Sequence, residues 1–296
     1  MRNFTLLFVL FLPVLSATES KYVREIKDWR AQRNAELKKP DSWLSLAGLF
    51  WLKEGENTFG VDASNDIRFP AYKADDFLGA LIRTGNKVTL RIKNKGAVTT
   101  ADGEPVSVLD MQPDIFGDPT IVKHRSLLWF VIIRGQRVGI RLKDVQSHAL
   151  KEFDSVPSYP IDESWRIQAR LEPYNPAKTL KIHDVLGDAS ERSCPGALVF
   201  HYAGKEYRLD PIGDSESPTY FLIFSDETSG DETYGGGRFL SIDRVDENRE
   251  TFIDFNRAVN PPCAFTPYAT CPLPPKGNRL PFKVSAGEKN IEHTDH

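Results

Sequence analysis

From Glu54 to Phe255 the chain is a succession of short runs of β-forming residues broken by turn signals, and this restricts its fold more than any other feature. Residues 87–92 (KVTLRI) and 165–171 (WRIQARL) alternate by twos, as strands with one buried face do. Residues 127–133 (LLWFVII) are continuously apolar, which predicts a strand buried on both faces. Arg134-Gly135-Gln136 marks a tight hairpin turn into residues 137–142 (RVGIRL). Tyr202-Ala203-Gly204-Lys205 marks another, between residues 197–201 and 206–209. Further strands are expected at 220–224, 238–242 and 251–255. Strands this frequent, with few helical patterns and no fixed-period repeat, predict a mainly β protein built from sandwich or barrel units.

One helix is expected, over residues 21–38, with Ser20 as its N-cap and Pro40 stopping the run. Residues 42–52 (SWLSLAGLFWL) read as an apolar connector that must be buried, since exposed it would form a large apolar patch. Residues 153–162, with Pro157 and Pro160, read as a link between two β domains. Residues 260–281 carry Pro261, Pro262, Pro267, Pro272, Pro274, Pro275 and Pro281, a density that forbids helix and central strand. The same stretch holds Cys263, Phe265, Tyr268, Cys271 and Leu273, residues that pack, so an ordered extended strap is expected. The expected organisation is a signal peptide over 1–17, helix and connector over 18–52, one β domain over 53–153, a second with the strap over 154–286, and a frayed tail over 287–296.

The export reading rests on Arg2, the apolar run from Phe4 to Leu15, and the small residues Ser16 and Ala17 ahead of a polar turn. It implies a periplasmic or extracellular protein. No later stretch is long and apolar enough to span a bilayer as a helix, so an integral membrane protein is not expected. Charge is nearly balanced, at 38 Lys+Arg against 41 Asp+Glu, which gives no footprint for nucleic acid. Of the three cysteines, Cys263 and Cys271 lie close in sequence and are the disulfide candidates, leaving Cys194 odd. Such a short closed loop would stabilise by about 2–3 kcal/mol on the chain-entropy model.

Residues 260–275 (NPPCAFTPYATCPLPP), preceded by 254–258 (DFNRA), resemble the signature of a bacterial family known as domain of unknown function sixteen-eighty-four. Residues 42–60 and 228–240 (TSGDETYGGGRFL) also resemble that family, so the likeness spans nearly the whole chain after the signal. It implies kinship and no activity. Residues 57–70 (NTFGVDASNDIRFP) are similar to the opening of forkhead-associated domains, β-sandwiches that bind phosphothreonine peptides. The resemblance implies a sandwich for the first β domain. It does not carry phosphopeptide binding: Val61 stands where that family has a phosphate-binding arginine, and the Ser-x-x-His element is absent after Pro70.

Nucleophile elbows, phosphate loops, HExxH and CxxC motifs are all missing, and Gly235-Gly236-Gly237 reads as a bent loop. None of His124, His148, His183, His201, His293 and His296 has a metal-pair spacing, so neither a metal nor a cofactor is expected. Chemistry-bearing residues gather near the C-terminus: Glu227, Thr228, Tyr234 and Arg238 on one loop-strand segment, Asp254, Asn256, Arg257 and Asn260 on the next. If the two strands paired as a hairpin, these groups would converge on one concave spot. Tyr234, Arg238, Asn256, Arg257, Asn260 and Tyr268 would then contact a small-molecule ligand, in an apolar cleft lined by aromatic residues such as Tyr207, Tyr220, Phe224 and Phe255. A metal-independent hydrolase or isomerase is the second reading, with Asp254 or Glu227 as general base and Arg238 as electrophilic partner. An envelope module docking a protein partner is the third. The structural alternative for the cluster is a salt-bridge network that pins the strap.

Overall fold

The computed structural model describes residues 19–214 and 216–291, so the signal segment, His293 and His296 lie outside the described residues. The protein is mainly β, with one long helix, α1 (Lys21–Leu37). Ser20 caps α1 by accepting the Val23 N–H at 3.2 Å, and Ile26 and Leu37 are its buried residues. No helix among the described residues is long and apolar enough to cross a membrane.

The first ten strands are β1 (Leu46–Trp51), β2 (Gly55–Gly60), β3 (Ile67–Arg68), β4 (Gly79–Thr84), β5 (Lys87–Ile92), β6 (Thr99–Thr100), β7 (Val108–Met111), β8 (Val122–His124), β9 (Leu127–Arg134) and β10 (Arg137–Asp144). They form two five-stranded sheets, in the orders β1-β10-β9-β8-β6 and β3-β2-β4-β5-β7. One apolar cluster draws on both sheets, with Phe59 and Leu81 from one and Trp129, Val131 and Ile140 from the other. The stretch expected as a connector is corrected here. β1 pairs along β10, so residues 46–51 are an edge strand of the first sheet. Leu44 and Leu46 are buried as expected, Leu44 with Ala264 and Phe265 and Leu46 with Ala269 and Cys271 of the strap, while Leu49, Phe50 and Trp51 are half-buried because an edge strand keeps one flank free.

β9 also departs from expectation. Leu128 and Phe130 are half-buried and only its C-terminal half is covered on both faces, because no layer lies over the outer side of its first residues. The β9–β10 hairpin forms as predicted, with Arg134 opposite Arg137 across a two-residue loop. Ala203 and Gly204 both take positive φ, +48° and +74°, the backbone that a two-residue hairpin loop with matching twist requires.

After the short helix α2 (His148–Glu152) come β11 (Arg166–His183), β12 (Ala189–Tyr202), β13 (Lys205–Leu209), β14 (Thr219–Phe224), β15 (Arg238–Asp243) and β16 (Glu250–Asp254). The sheets are β13-β12-β11-β16 and the pair β14-β15, all antiparallel. Their shared core includes Leu198, Phe200, Leu222, Phe224, Leu240 and Phe255.

The strap is ordered. Asn278 donates its amide to Asp210 O and Ile223 O at 2.9 and 3.0 Å and accepts from the Asp210 N–H. Leu280 N–H bonds Ser225 O, and Phe282 stacks on Tyr202 at 4.5 Å. The tail was expected to fray from Gly287. Instead Gly287 and Glu288 are buried, and Ser158 bridges to Glu288, so order runs past the expected boundary. The reason is that residues 284–288 supply backbone carbonyls to a buried arginine.

Candidate functional site

β15 and β16 do not form the hairpin on which the expected site depended. β15 pairs with β14, and β16 pairs with β11, so the two segments lie in different sheets. Arg238 and Asp254 accordingly have separate partners.

Arg238 is wholly buried and its guanidinium binds Asp226 at 2.8 Å, also wholly buried. It donates further to the carbonyls of Val284 at 3.0 Å and of Ala286, both on the descending strap. Asp226 Oδ1 accepts from the Thr228 N–H and hydroxyl. Thr228 therefore belongs to a sealed network that fastens the strap. Glu227, the alternative general base, is exposed, and its N–H bonds Phe282 O. The tight bend before Arg238 needs glycine at Gly237, where φ is +83° and a Cβ would lie 2.5 Å from Phe224 O.

Asn260 holds the strap's other end, its amide on Lys289 O and its N–H on Glu288 Oε2 at 2.6 Å. Burial pushes the Glu288 carboxyl above the usual range, while Arg33 and the Asn260 N–H pull it down. A carboxyl whose pKa is higher folded than unfolded favours the fold when protonated. That contribution is complete below the unfolded value of about 4.3 and fades as pH rises through the folded one. We expect Glu288→Gln to gain on the wild type in melting temperature as pH rises from about 4 to 7. A gap that stays constant or closes over that interval would contradict this.

The aromatic set does not enclose one cavity. Tyr220, Phe224 and Phe255 are core, Tyr234 and Phe265 pack near Leu37 and Val156, and Tyr268 sits beside Ala269 and Cys271. The reason is that these rings hang from three different layers.

What the fold does assemble is an open cleft of about 610 Å³ between α1, β11 and β16. Asp254 is at its wall, accepting from the Tyr22 hydroxyl at 2.7 Å and facing Arg257 Nε at 3.4 Å. Burial, then the hydrogen bond and charge of Asp254, push the Tyr22 phenol far above its ordinary value. Asn256, wholly buried behind it, donates to Tyr22 Oη and Asp162 O and so holds the wall in place. Arg257 also lies over the Trp29 ring. The remaining carboxylates are mostly engaged: Asp246 caps the N–H groups of Asn248 and Glu250, Glu250 accepts from Gln168, and Glu25 faces Lys21. Two cations are not. The Arg166 guanidinium carbon lies 3.7 Å from the centroid of the exposed Phe252 ring, and neither Arg166 nor Arg244 makes a side-chain hydrogen bond or close salt bridge with a described residue, although the Arg244 charge acts on Asp214. Sequence reasoning missed Tyr22, Arg166 and Arg244, because nothing local ties α1 and β11 to β16.

Of the cysteines, Cys194 is buried and donates to Gly196 O, and burial pushes its thiol up to about 11. Cys263 and Cys271 are free thiols brought together, with the Cys263 N–H on Cys271 Sγ at 3.1 Å. No group of three or more His, Cys, Asp and Glu side chains is placed to hold a metal among the described residues.

Residues 151–289 match the family model described as a protein of unknown function, DUF1684. The match takes in a little under half of the chain. The DUF1684 segment contains the second group of strands, the cleft's β walls, the strap and both adjacent thiols. Residues 42–60 fall outside it, so the family match is narrower than the sequence likeness suggested. Among solved structures, the chain is similar to the uncharacterized protein from gene locus rrnAC0354 of Haloarcula marismortui, determined in solution by NMR. Identity is 28%, covering 48% of this chain and 80% of that one, with a TM-score of 0.41. No curated protein matches.

Proposed function

We propose that this is an exported binding protein for a small molecule bearing an anionic group, which it holds in the cleft of Tyr22, Arg166, Arg244, Asp254 and Arg257. One observation carries the reading: Arg166 and Arg244 line the same cleft with unpaired guanidinium donors, among carboxylates that are mostly engaged elsewhere. A guanidinium fork matches a carboxylate or phosphate bidentately, and Phe252 beneath Arg166 limits the freedom lost on binding. The Tyr22–Asp254 pair offers an adjoining polar contact for a hydroxyl or amine of the ligand. Export rests on Arg2 and the apolar run behind it. The single core shared by the two five-stranded sheets supports a sandwich reading of the N-terminal β unit.

The test is titration calorimetry at low salt with succinate and with inorganic phosphate as probes. The wild type should bind one of them, and Arg166→Ala and Arg244→Ala should each weaken binding by about tenfold or more. Unchanged affinity in both variants, or no heat with either probe, would overturn the reading.

A further inference from the structure

The proline strap crosses the boundary between the two groups of strands with two thiols side by side. Cys263 sits in a 3-10 turn (Pro262–Ala264), half-buried. Cys271 is buried, its carbonyl accepting from Val185 N–H and its neighbour Pro272 bridged to Asp184. The backbone on either side is thus anchored, and the thiols meet because both anchors hold. Arg141 of β10, only 5% exposed, approaches from the first sheet. Its Nη2 reaches Thr270 Oγ1 at 3.4 Å, inside the loop the two cysteines bound, while its Nε has no partner. Arg134 reaches the same hydroxyl at 3.4 Å. Two adjacent thiols beside buried positive charge suit a thiolate and disfavour a bound cation.

We propose that Cys263 and Cys271 are a reversible redox pair, in which Cys263 attacks a small-molecule disulfide and Cys271 resolves the mixed disulfide. The Cys263 thiolate forms a bond to one sulfur of RS–SR and the other leaves as a thiolate. Cys271 gives up its proton to that thiolate and attacks Cys263 Sγ, expelling the second RS⁻, which takes up from water the proton that Cys263 released on ionising. The protein loses two electrons and two protons, and the oxidant becomes two thiols. The order of attack follows from exposure, Cys263 being the reachable sulfur. The hydrogen bond from Cys271 lowers the pKa of Cys263 and the positive charge of Arg141 helps, against burial. The closed bond would staple the loop whose Thr270 meets Arg134 and Arg141, locking the strap onto the first sheet.

The test uses the folded full-length protein, incubated with oxidised glutathione, then denatured, alkylated and mapped by mass spectrometry. The wild type should show the Cys263–Cys271 bond with Cys194 alkylated, and Cys271→Ser should retain one glutathionyl group on Cys263. Cys263→Ser should react at Cys271 about tenfold more slowly. Arg141→Met should slow capture by Cys271→Ser about tenfold while Arg141→Lys restores most of it, a rescue that loss of packing alone would not show. Absence of the Cys263–Cys271 bond in the wild type would overturn the proposal. Equal capture by the two serine variants would overturn the assigned roles.

Discussion

Asp226→Ala is expected to lower the unfolding free energy by about 3–5 kcal/mol, since it leaves a buried guanidinium without its counter-ion. Both partners are 0% exposed, so water does not screen the loss. The strap carbonyls of Val284 and Ala286 still accept from Arg238, but dipoles do not neutralise a charge. The Thr228 N–H and hydroxyl lose their acceptor in the same substitution. Urea unfolding of variant and wild type, compared at equal slope, measures the difference. A loss below about 1 kcal/mol would mean that the pair does not hold the strap. Because the network pins residues 284–288, the variant should also expose the strap to protease before global unfolding.

Trp129→Ala should cost about 3–5 kcal/mol as well, through a cavity rather than a stranded charge. Trp129 is fully buried on β9 and meets Phe59 and Phe69 edge-on at 5.7 and 5.4 Å. Phe59 belongs to the other five-stranded sheet, so the indole joins the two sheets. Its ring N–H has no partner, so its contribution comes from packing alone. Chemical denaturation should show the loss, and a cost under about 1 kcal/mol would place the core elsewhere.

The two substitutions differ in how far the sequence announced them. Trp129 lies in an apolar run that reads as a buried strand, and its burial follows from composition and period. Arg238 is legible as a residue of interest, and a strap-pinning salt-bridge network is one of the three roles that the sequence allows it. Its partner Asp226 was not identified, because the pairing depends on a loop closing over β15 rather than on any spacing. The neighbouring Asp254 and Arg257 do face one another, three residues apart on a short 3-10 turn, yet their cleft is completed by Tyr22 and Arg166. Those two are 232 and 88 residues earlier in the chain than Asp254, a separation that no local pattern encodes.

Read alone, the amino-acid order determined what depends on neighbours in the chain. It settled the capped helix, the alternating strands, the two-residue hairpins and a proline-dense strap that can be neither helix nor inner strand. Each of these follows from backbone sterics and side-chain period, which act over a few residues. Beyond those hairpins, only the tertiary structure decided which strand lies beside which. Placing β15 against β14 and β16 against β11 sent Arg238 into the core and left Asp254 at a solvent-facing cleft. Strand partnership is chosen by burial summed over whole faces, a quantity that no single segment contains.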